Sequence, residues 1–519
     1  MMAGISKVFA YQERMPDMTI STVTARLLAS PFASTLQSLV VQLLPALLEV
    51  GKRIEAYRGG DITPVTTCAF EKDLADLLRE VGRVTVSWTY NLLEADKVEE
   101  APALAGLDGE LYRRRTRSRR RYGVATLFGN IALYRIGYEP LEPGLPSIFP
   151  LEMRLGLTAG RATPALMERV GPWSAQHTQK TVLQLLQQEH DVRWSAETLR
   201  KVTATLSAAL APLRHEAQVT QVLSWLANAY QSSGPHKPVL SVGRDGVFVP
   251  MRGHKEYREA CTGTVAVLDR RGRRVGTVYL GHMPQPGQTT LSAQLTALLH
   301  DVLLRWQGPL PRLEYVTDGG HHPSEYFDQV LRSMVHPRTG ALLPWQQVLD
   351  FYHACGYVTK MAEALFGAGT RQAASWAHKM RHWLRDQRHG IFRLLHSAAA
   401  HRIWWELSAN EDKAYQTAYN YLRQRMAIMD YVDYRRHGLA IGSGVTEAAC
   451  KTLFTQRFKQ SGMKWSWEGG QVIVELRVIY LSGIWTSVYD AHLASLPLPE
   501  MGTQRTKRQN AATTLQMAA

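Results

Sequence analysis

The stretch PVLSVGRDGVFVPM, residues 238–251, decides the fold. Its apolar residues alternate with others at a period of two, which is the mark of a half-buried strand. Asp245 stands in the middle, on the same face as Val247 and opposite Val242 and Arg244. A carboxylate within an apolar strand is costly unless a cation answers it. Working outward, CTGTVAVLDRRGRRVGTVYLG (261–281) reads as two strands joined by a turn at Arg271 and Gly272. TTLSAQLTALLHDVLLRWQG (289–308) reads as an amphipathic helix. RLEYVTDGG (312–320), HPSEYFDQVLRSMVH (322–336) and QQVLDFYHA (346–354) then read as strand, helix and strand. The order is β-β-β-α-β-α-β, with Asp318 at the carboxyl end of the fourth strand, where open α/β sheets bind ligands.

On either side the texture is helical. Residues 35–57 and 70–96 repeat apolar positions every three or four residues, so 1–110 reads as a helical N-terminal domain. RRRTRSRRR at 113–121 places seven arginines in nine positions: Arg113, Arg114, Arg115, Arg117, Arg119, Arg120 and Arg121. YGVATLFGNIALYRIGYEP follows and alternates around Gly129 and Asn130. The segment 111–149 therefore reads as a β-hairpin with an arginine run at its base, whose guanidinium groups suit phosphates. A solvated linker is the alternative reading of such a charge run.

In 150–230, SAQHTQKTVLQLLQQEH, a break at DVRW and SAETLRKVTATLSAAL predict two helices with Ser174 and Ser195 as N-caps. Arg200 and Lys201 lie on the first turns of the second helix, making a helix-turn-helix candidate for DNA; an ordinary helix pair fits the same pattern. A turn-rich boundary at 231–240 separates this region from the core at 237–354. Residues 355–436 are helical throughout and too long for a loop, so they read as an insertion. They hold 13 Lys or Arg against 7 Asp or Glu, a net of +6, beside Trp376, Trp383, Trp404 and Trp405. Such aromatics either stack on unpaired bases or fill a helical core. Residues 437–495 complete the core, and 496–519 read as a disordered tail.

The 519 residues carry 60 Lys plus Arg against 45 Asp plus Glu, a formal charge of +15, which favours a polyanionic partner. Hydrophobic residues at 45% and charged residues at 20% are ordinary globular values and exclude a wholly disordered basic chain. Four scattered cysteines without a CxxC pair argue against a disulfide scaffold or zinc ribbon. The N-terminus lacks a signal-peptide pattern. The run LVVQLLPALLEV, interrupted by Gln42 and Pro45, is too short for a membrane span. The expectation is an untargeted protein of the bacterial cytosol or nucleoid, with no membrane partner.

Glu447 lies in IGSGVTEAACKTLFTQRFKQSG (441–462), where Gly442, Ser443 and Gly444 lead into a helix. Asp245, Asp318 and Glu447 then converge from a first strand, an adjacent fourth strand and a helix on the sheet. Three oxygen donors at an open site suit Mg²⁺ or Mn²⁺. Two such ions about 3.5 to 4 Å apart serve in-line phosphoryl displacement. Taken singly, each acid also has a bland reading, as a turn Asp-Gly or a surface helix residue.

The strand succession is that of a ribonuclease-H-like fold. VGRDGVFV, YVTDGG, VLDFYHA and the long run 441–470 together resemble bacterial insertion-sequence transposases of the ISKra type, relatives of the Mutator-like group. The resemblance covers roughly residues 120–490. It implies a multidomain α+β protein: a ribonuclease-H-like core with an all-helical insertion, preceded by helical and helix-turn-helix DNA-binding regions. It also implies a DDE triad of Asp245, Asp318 and Glu447 binding two Mg²⁺ or Mn²⁺ ions. The partners would be double-stranded DNA, as terminal inverted repeats and target, and further copies of the chain in a homodimer or higher oligomer.

Asp350 and His353 resemble the C/D-x-x-H motif of these families and are assigned to support, with Asp350 the rival of Asp318 as second ligand. A buried structural histidine is the alternative for His353. Lys451, Arg457 and Lys459 follow Glu447 and are expected to contact DNA phosphates. The Y-x-x-R-x-x-x-E spacing of some other insertion-sequence families is missing, since Ser443 stands four residues before Glu447. An endonuclease or resolvase without joining, or a non-catalytic DNA-binding regulator, is the alternative function.

Overall fold

The structure is a computed structural model that describes residues 29–115, 119–404 and 406–502. Arg117, Trp405 and residues 503–519 of the expected tail lie outside the described residues, as does the side chain of Arg120. The chain forms two units. One comprises 1–167, 183–194 and 496–519, and the other 168–182 and 195–495.

The first unit opens with helices α1 (Ala33–Gly59) and α2 (Pro64–Asn91), packed on each other. Thr63 and Thr66 form a capping box at the start of α2, and Pro64 occupies its first turn, where a missing N–H costs nothing. Pro45 lies inside α1 without ending it, so the apolar run belongs to a 27-residue helix rather than a short one. By length and composition α1 could cross a membrane, a correction to the sequence expectation; none of its residues is buried.

Strands β1 (Leu104–Leu107) and β2 (Glu110–Arg114) follow, joined through Asp108 and Gly109, both at positive φ. Strand structure thus begins before residue 111, and the Asp-Gly pair is the hairpin signal that marks it. Next come β3 (Arg120–Thr126), β4 (Gly129–Arg135) and β5 (Tyr138–Pro140). β3 and β4 form a two-stranded hairpin. The other sheet includes β11 (Glu500–Met501), which pairs with β1, so residues 500–501 are part of a sheet rather than a free tail. Asn91, at the end of α2, donates to Ala132 O at 2.9 Å and accepts from Tyr134 N at 2.7 Å, tying the helix to β4.

Helices α3 (Pro164–Gln176) and α4 (Gln179–His190) lead to α5 (Ala196–Gln231). Ser195 caps α5 by accepting from Thr198 N at 3.0 Å. Ser174, by contrast, is buried inside α3, and the break comes at Thr178, which accepts from Thr181 N at 3.2 Å. The second helix of the expected helix-turn-helix is 36 residues long and continues through Pro212. Leu210, Val219, Val222 and Leu226 on it are fully buried, and it packs on the central sheet, while Arg200 and Lys201 remain exposed.

The second unit is built on β6 (Val239–Val249), β7 (Arg258–Leu268), β8 (Arg274–His282), β9 (Arg312–Thr317) and β10 (Trp345–Leu349). Their order is β10-β9-β6-β7-β8. The β6–β7 and β7–β8 pairs are antiparallel; β6–β9 and β9–β10 are parallel. Helix α6 (Thr289–Arg305) returns the chain from β8 to β9, as parallel pairing requires. Alternation sorts β6 as read from sequence. Leu240 and Val242 join the core with α5 and α6, whereas Val247 and Val249 join Cys450, Leu453 and Phe454 on the other face.

Helix α7 (His321–Tyr326) follows β9. Helices α8 (Phe351–Phe366), α9 (Arg371–Asp386), α10 (Gly390–Trp404), α11 (Ala409–Gln424) and α12 (Tyr431–Arg436) form the helical segment. It begins at Phe351, directly off β10, because Asp350 caps it. Trp376 is buried there and donates to Ser397 Oγ at 3.0 Å; Trp404 is 83% exposed. Helix α13 (Gly444–Ala449) continues through a π-helical stretch, Cys450–Thr455, to Phe458; α14 (Trp467–Leu481) and α15 (Trp485–Ser495) close the unit.

Candidate active site

Sheet register brings the first two acids together. In the β6–β9 pair Gly243 faces Val316, so two residues further on Asp245 and Asp318 fall in one row. In the β9–β10 pair Leu349 faces Thr317, which sets Asp350 beside Asp318. Asp318 and Asp350 thus follow the carboxyl ends of β9 and β10, in one row with Asp245 in the middle of β6. Glu447 comes from above, on α13, whose approach is set by Gly243. A Cβ at that position would lie 2.0 Å from Thr446 Oγ1, which hydrogen-bonds Thr264 Oγ1 at 2.9 Å.

A cavity of about 370 Å³ is lined by Arg244, Asp245, Asp318, His353, Ser443, Glu447, Cys450 and Lys451. Asp245 accepts from Gly246 N at 2.7 Å and from the Cys450 thiol at 3.4 Å. Burial, with the nearby negative charges of Asp318 and Glu447, pushes its carboxyl up to about 6 against those two hydrogen bonds. Asp318 accepts from Gly320 N at 2.8 Å. Helix α11 holds this turn from the outside: Tyr421 Oη donates to Asp318 O and Arg425 Nη2 to Gly319 O at 2.8 Å. Tyr421 in turn stacks on Tyr357 at 3.7 Å and lies under the Arg425 guanidinium at 4.0 Å.

Asp350 does not line this cavity. It is fully buried, one oxygen accepts from His353 N at 2.6 Å, and the other accepts from Ser443 N. It pins the Gly442–Ser443 turn to the end of β10 and caps α8. His353 is exposed beside the acids, which overturns a buried structural role. Ser443 Oγ lies 3.4 Å from Glu447 Oε1.

The cations divide. Lys451 lines the cavity and Lys459 is exposed at a neighbouring basic cleft with His254, Lys255 and Lys464. Arg457 is 2% exposed and lies 5.0 Å from the Trp465 ring, with burial lowering its guanidinium to about 10. It belongs to the core, not to a DNA surface, because helix periodicity turns it inward beside Phe458. In the arginine run, Arg113 and Arg121 are exposed. Arg114 donates to Glu99 O at 3.0 Å, and Arg115 pairs with Glu139 at 2.7 Å. Arg119 lies 3.5 Å from Asp96. Part of the run's charge is therefore spent within the protein.

Arg244, Cys450, Tyr421 and Arg425 went unread in the sequence. Arg244 is buried, bonded to Ser292 Oγ at 2.9 Å and Gln288 Oε1 at 3.1 Å, with Tyr326 at 4.6 Å. Its place directly before Asp245 was the available signal. The acid oxygens do not all come within 4.8 Å of one another; among the described residues only His321, His322 and Glu325 do so. As placed, the three acids therefore do not close on a single ion. No family model matches the chain, and no curated protein matches it significantly.

Proposed function

We propose that the protein is a DNA transposase whose second unit is a ribonuclease-H-like catalytic core. The observation that carries this reading is the convergence of Asp245, Asp318 and Glu447 on one cavity, from the middle of β6, the end of β9 and the start of α13. The strand order, antiparallel then parallel, supports the same fold. Asp245, Asp318 and Glu447 are the residues that would hold Mg²⁺ or Mn²⁺, which when bound would activate the nucleophile and stabilise the leaving oxygen.

The chain's own residues supply position and charge. Asp350 and Ser443 fix the turn from which Glu447 projects, and Tyr421 with Arg425 fixes the Asp318 turn. Lys451 and His353 border the cavity where a phosphodiester would lie. In the first step water attacks phosphorus, the P–O3′ bond breaks, and a 3′-hydroxyl is freed. In the second that hydroxyl attacks a target phosphorus and displaces the target's 3′-oxygen. The DNA would be the element's terminal inverted repeats and a target duplex, and pairing of two ends calls for a dimer or higher assembly.

The test uses Glu447→Gln with DNA carrying the element's ends. End binding is expected to persist while cleavage and joining in Mg²⁺ both disappear; unchanged cleavage refutes the assignment. Cleavage by the native protein without joining of pre-cut ends would make it an endonuclease instead.

A further inference from the structure

Two glycines after Asp318, the chain enters α7 with two histidines, and Glu325 lies one turn further on. Residues three and four apart share a helix face, so Glu325 sits beneath both rings. His321 Nδ1 and His322 Nδ1 each lie 3.7 Å from the same atom, Glu325 Oε2. The ligand atoms of all three residues lie within 4.8 Å of one another, alone in this among the described residues. A separation of 3.7 Å is too long for a hydrogen bond. It is close to the roughly 3.3 Å between ligands of a tetrahedral ion bound at about 2.0 Å.

Burial adds a second observation. His322 Nδ1 is shielded from water and has no hydrogen-bond partner, which leaves a lone pair or an N–H unsatisfied. A metal ion at this point would satisfy it. The His321 side chain is 82% exposed, so one side of the site stays open to water.

We propose that His321, His322 and Glu325 form a three-ligand site for a transition-metal ion of the Zn²⁺ class. It is separate from the acid cavity in residues and in chemistry. Two imidazoles and one carboxylate select a borderline ion such as Zn²⁺, Co²⁺ or Ni²⁺, whereas the all-oxygen set of Asp245, Asp318 and Glu447 suits Mg²⁺. Loading the site would clamp the first turn of α7 directly after the Gly319–Gly320 turn that carries Asp318.

The experiment titrates the full chain, freed of metal, with Co²⁺ in the presence of excess Mg²⁺. One equivalent is expected to bind with the visible absorption of a four-coordinate ion, and Zn²⁺ to displace it. His322→Ala and Glu325→Gln should each weaken Zn²⁺ binding roughly tenfold or more without changing the circular dichroism. His378 and His382 on α9 face each other at 3.2 Å between Nε2 atoms and provide the control. His378→Ala is expected to leave the bound equivalent unchanged. An unaltered spectrum and stoichiometry in both His322→Ala and Glu325→Gln, or loss of the ion in His378→Ala instead, overturns the proposal. Because the readout is metal binding, it stands or falls independently of DNA cleavage.

Discussion

Glu314 offers a measurement that does not depend on any activity. It lies in β9, in register with Ser241 on one side and Gln346 on the other, and is fully buried. Burial pushes its carboxyl from 4.5 up to about 8, and neither of its buried oxygens has a hydrogen-bond partner among the described residues. Below pH 4.5 the acid is protonated in both folded and unfolded chains, and nothing is lost. Between 4.5 and about 8 the unfolded chain ionises while the folded one stays neutral, so stability falls as pH rises, by about 1.4 kcal/mol per pH unit. Above about 8 both are ionised and the loss levels off, at most about 5 kcal/mol in all.

Glu314→Gln keeps the shape and removes the titration. Urea denaturation at pH 5, 6.5 and 8 should show the variant gaining on the native protein as pH rises, with the larger difference at pH 8. A difference that stays constant across this range would refute the reasoning, because a mere packing defect has no reason to follow protons.

Gly243→Ala should lower stability by about 1–3 kcal/mol in denaturant titrations and abolish cleavage, since the new methyl displaces Thr446 and with it α13. Gly263→Ala, whose nearest contact would be 3.5 Å, is the mild control. Mn²⁺ binding, followed by electron paramagnetic resonance, should weaken as pH falls through about 6, where a proton competes for Asp245; Asp245→Asn should bind weakly at every pH tested. Arg113→Ala and Lys459→Ala should each reduce the salt dependence of DNA binding by about one counterion in gel-shift titrations. Arg457→Met, in the core, should change unfolding but not that slope.

Period-two alternation in 238–251 was enough to place Asp245 on a strand and to sort its neighbours by face, because a strand has only two faces. The order of strands and helices after it likewise followed from local patterns. Asp318 and Glu447 were legible at element ends, beside glycines, where chain direction changes. The Ser195 cap and the Gly129 hairpin were readable for the same reason: their hydrogen bonds are local.

Contacts distant in sequence decided the rest. Asp350, assigned to support in the sequence with a rival role as ligand, has both oxygens on the backbone N–H groups of His353 and Ser443, the second of them 93 residues away. Arg457 read as a DNA contact because charge is visible in sequence and burial is not. Tyr421 and Arg425 reach the Asp318 turn across more than a hundred residues, a contact that no spacing rule encodes. Local patterning therefore determined which residues could carry the chemistry. Tertiary packing decided which of them face the cavity with free oxygens, since that depends on what the remainder of the fold has already bonded.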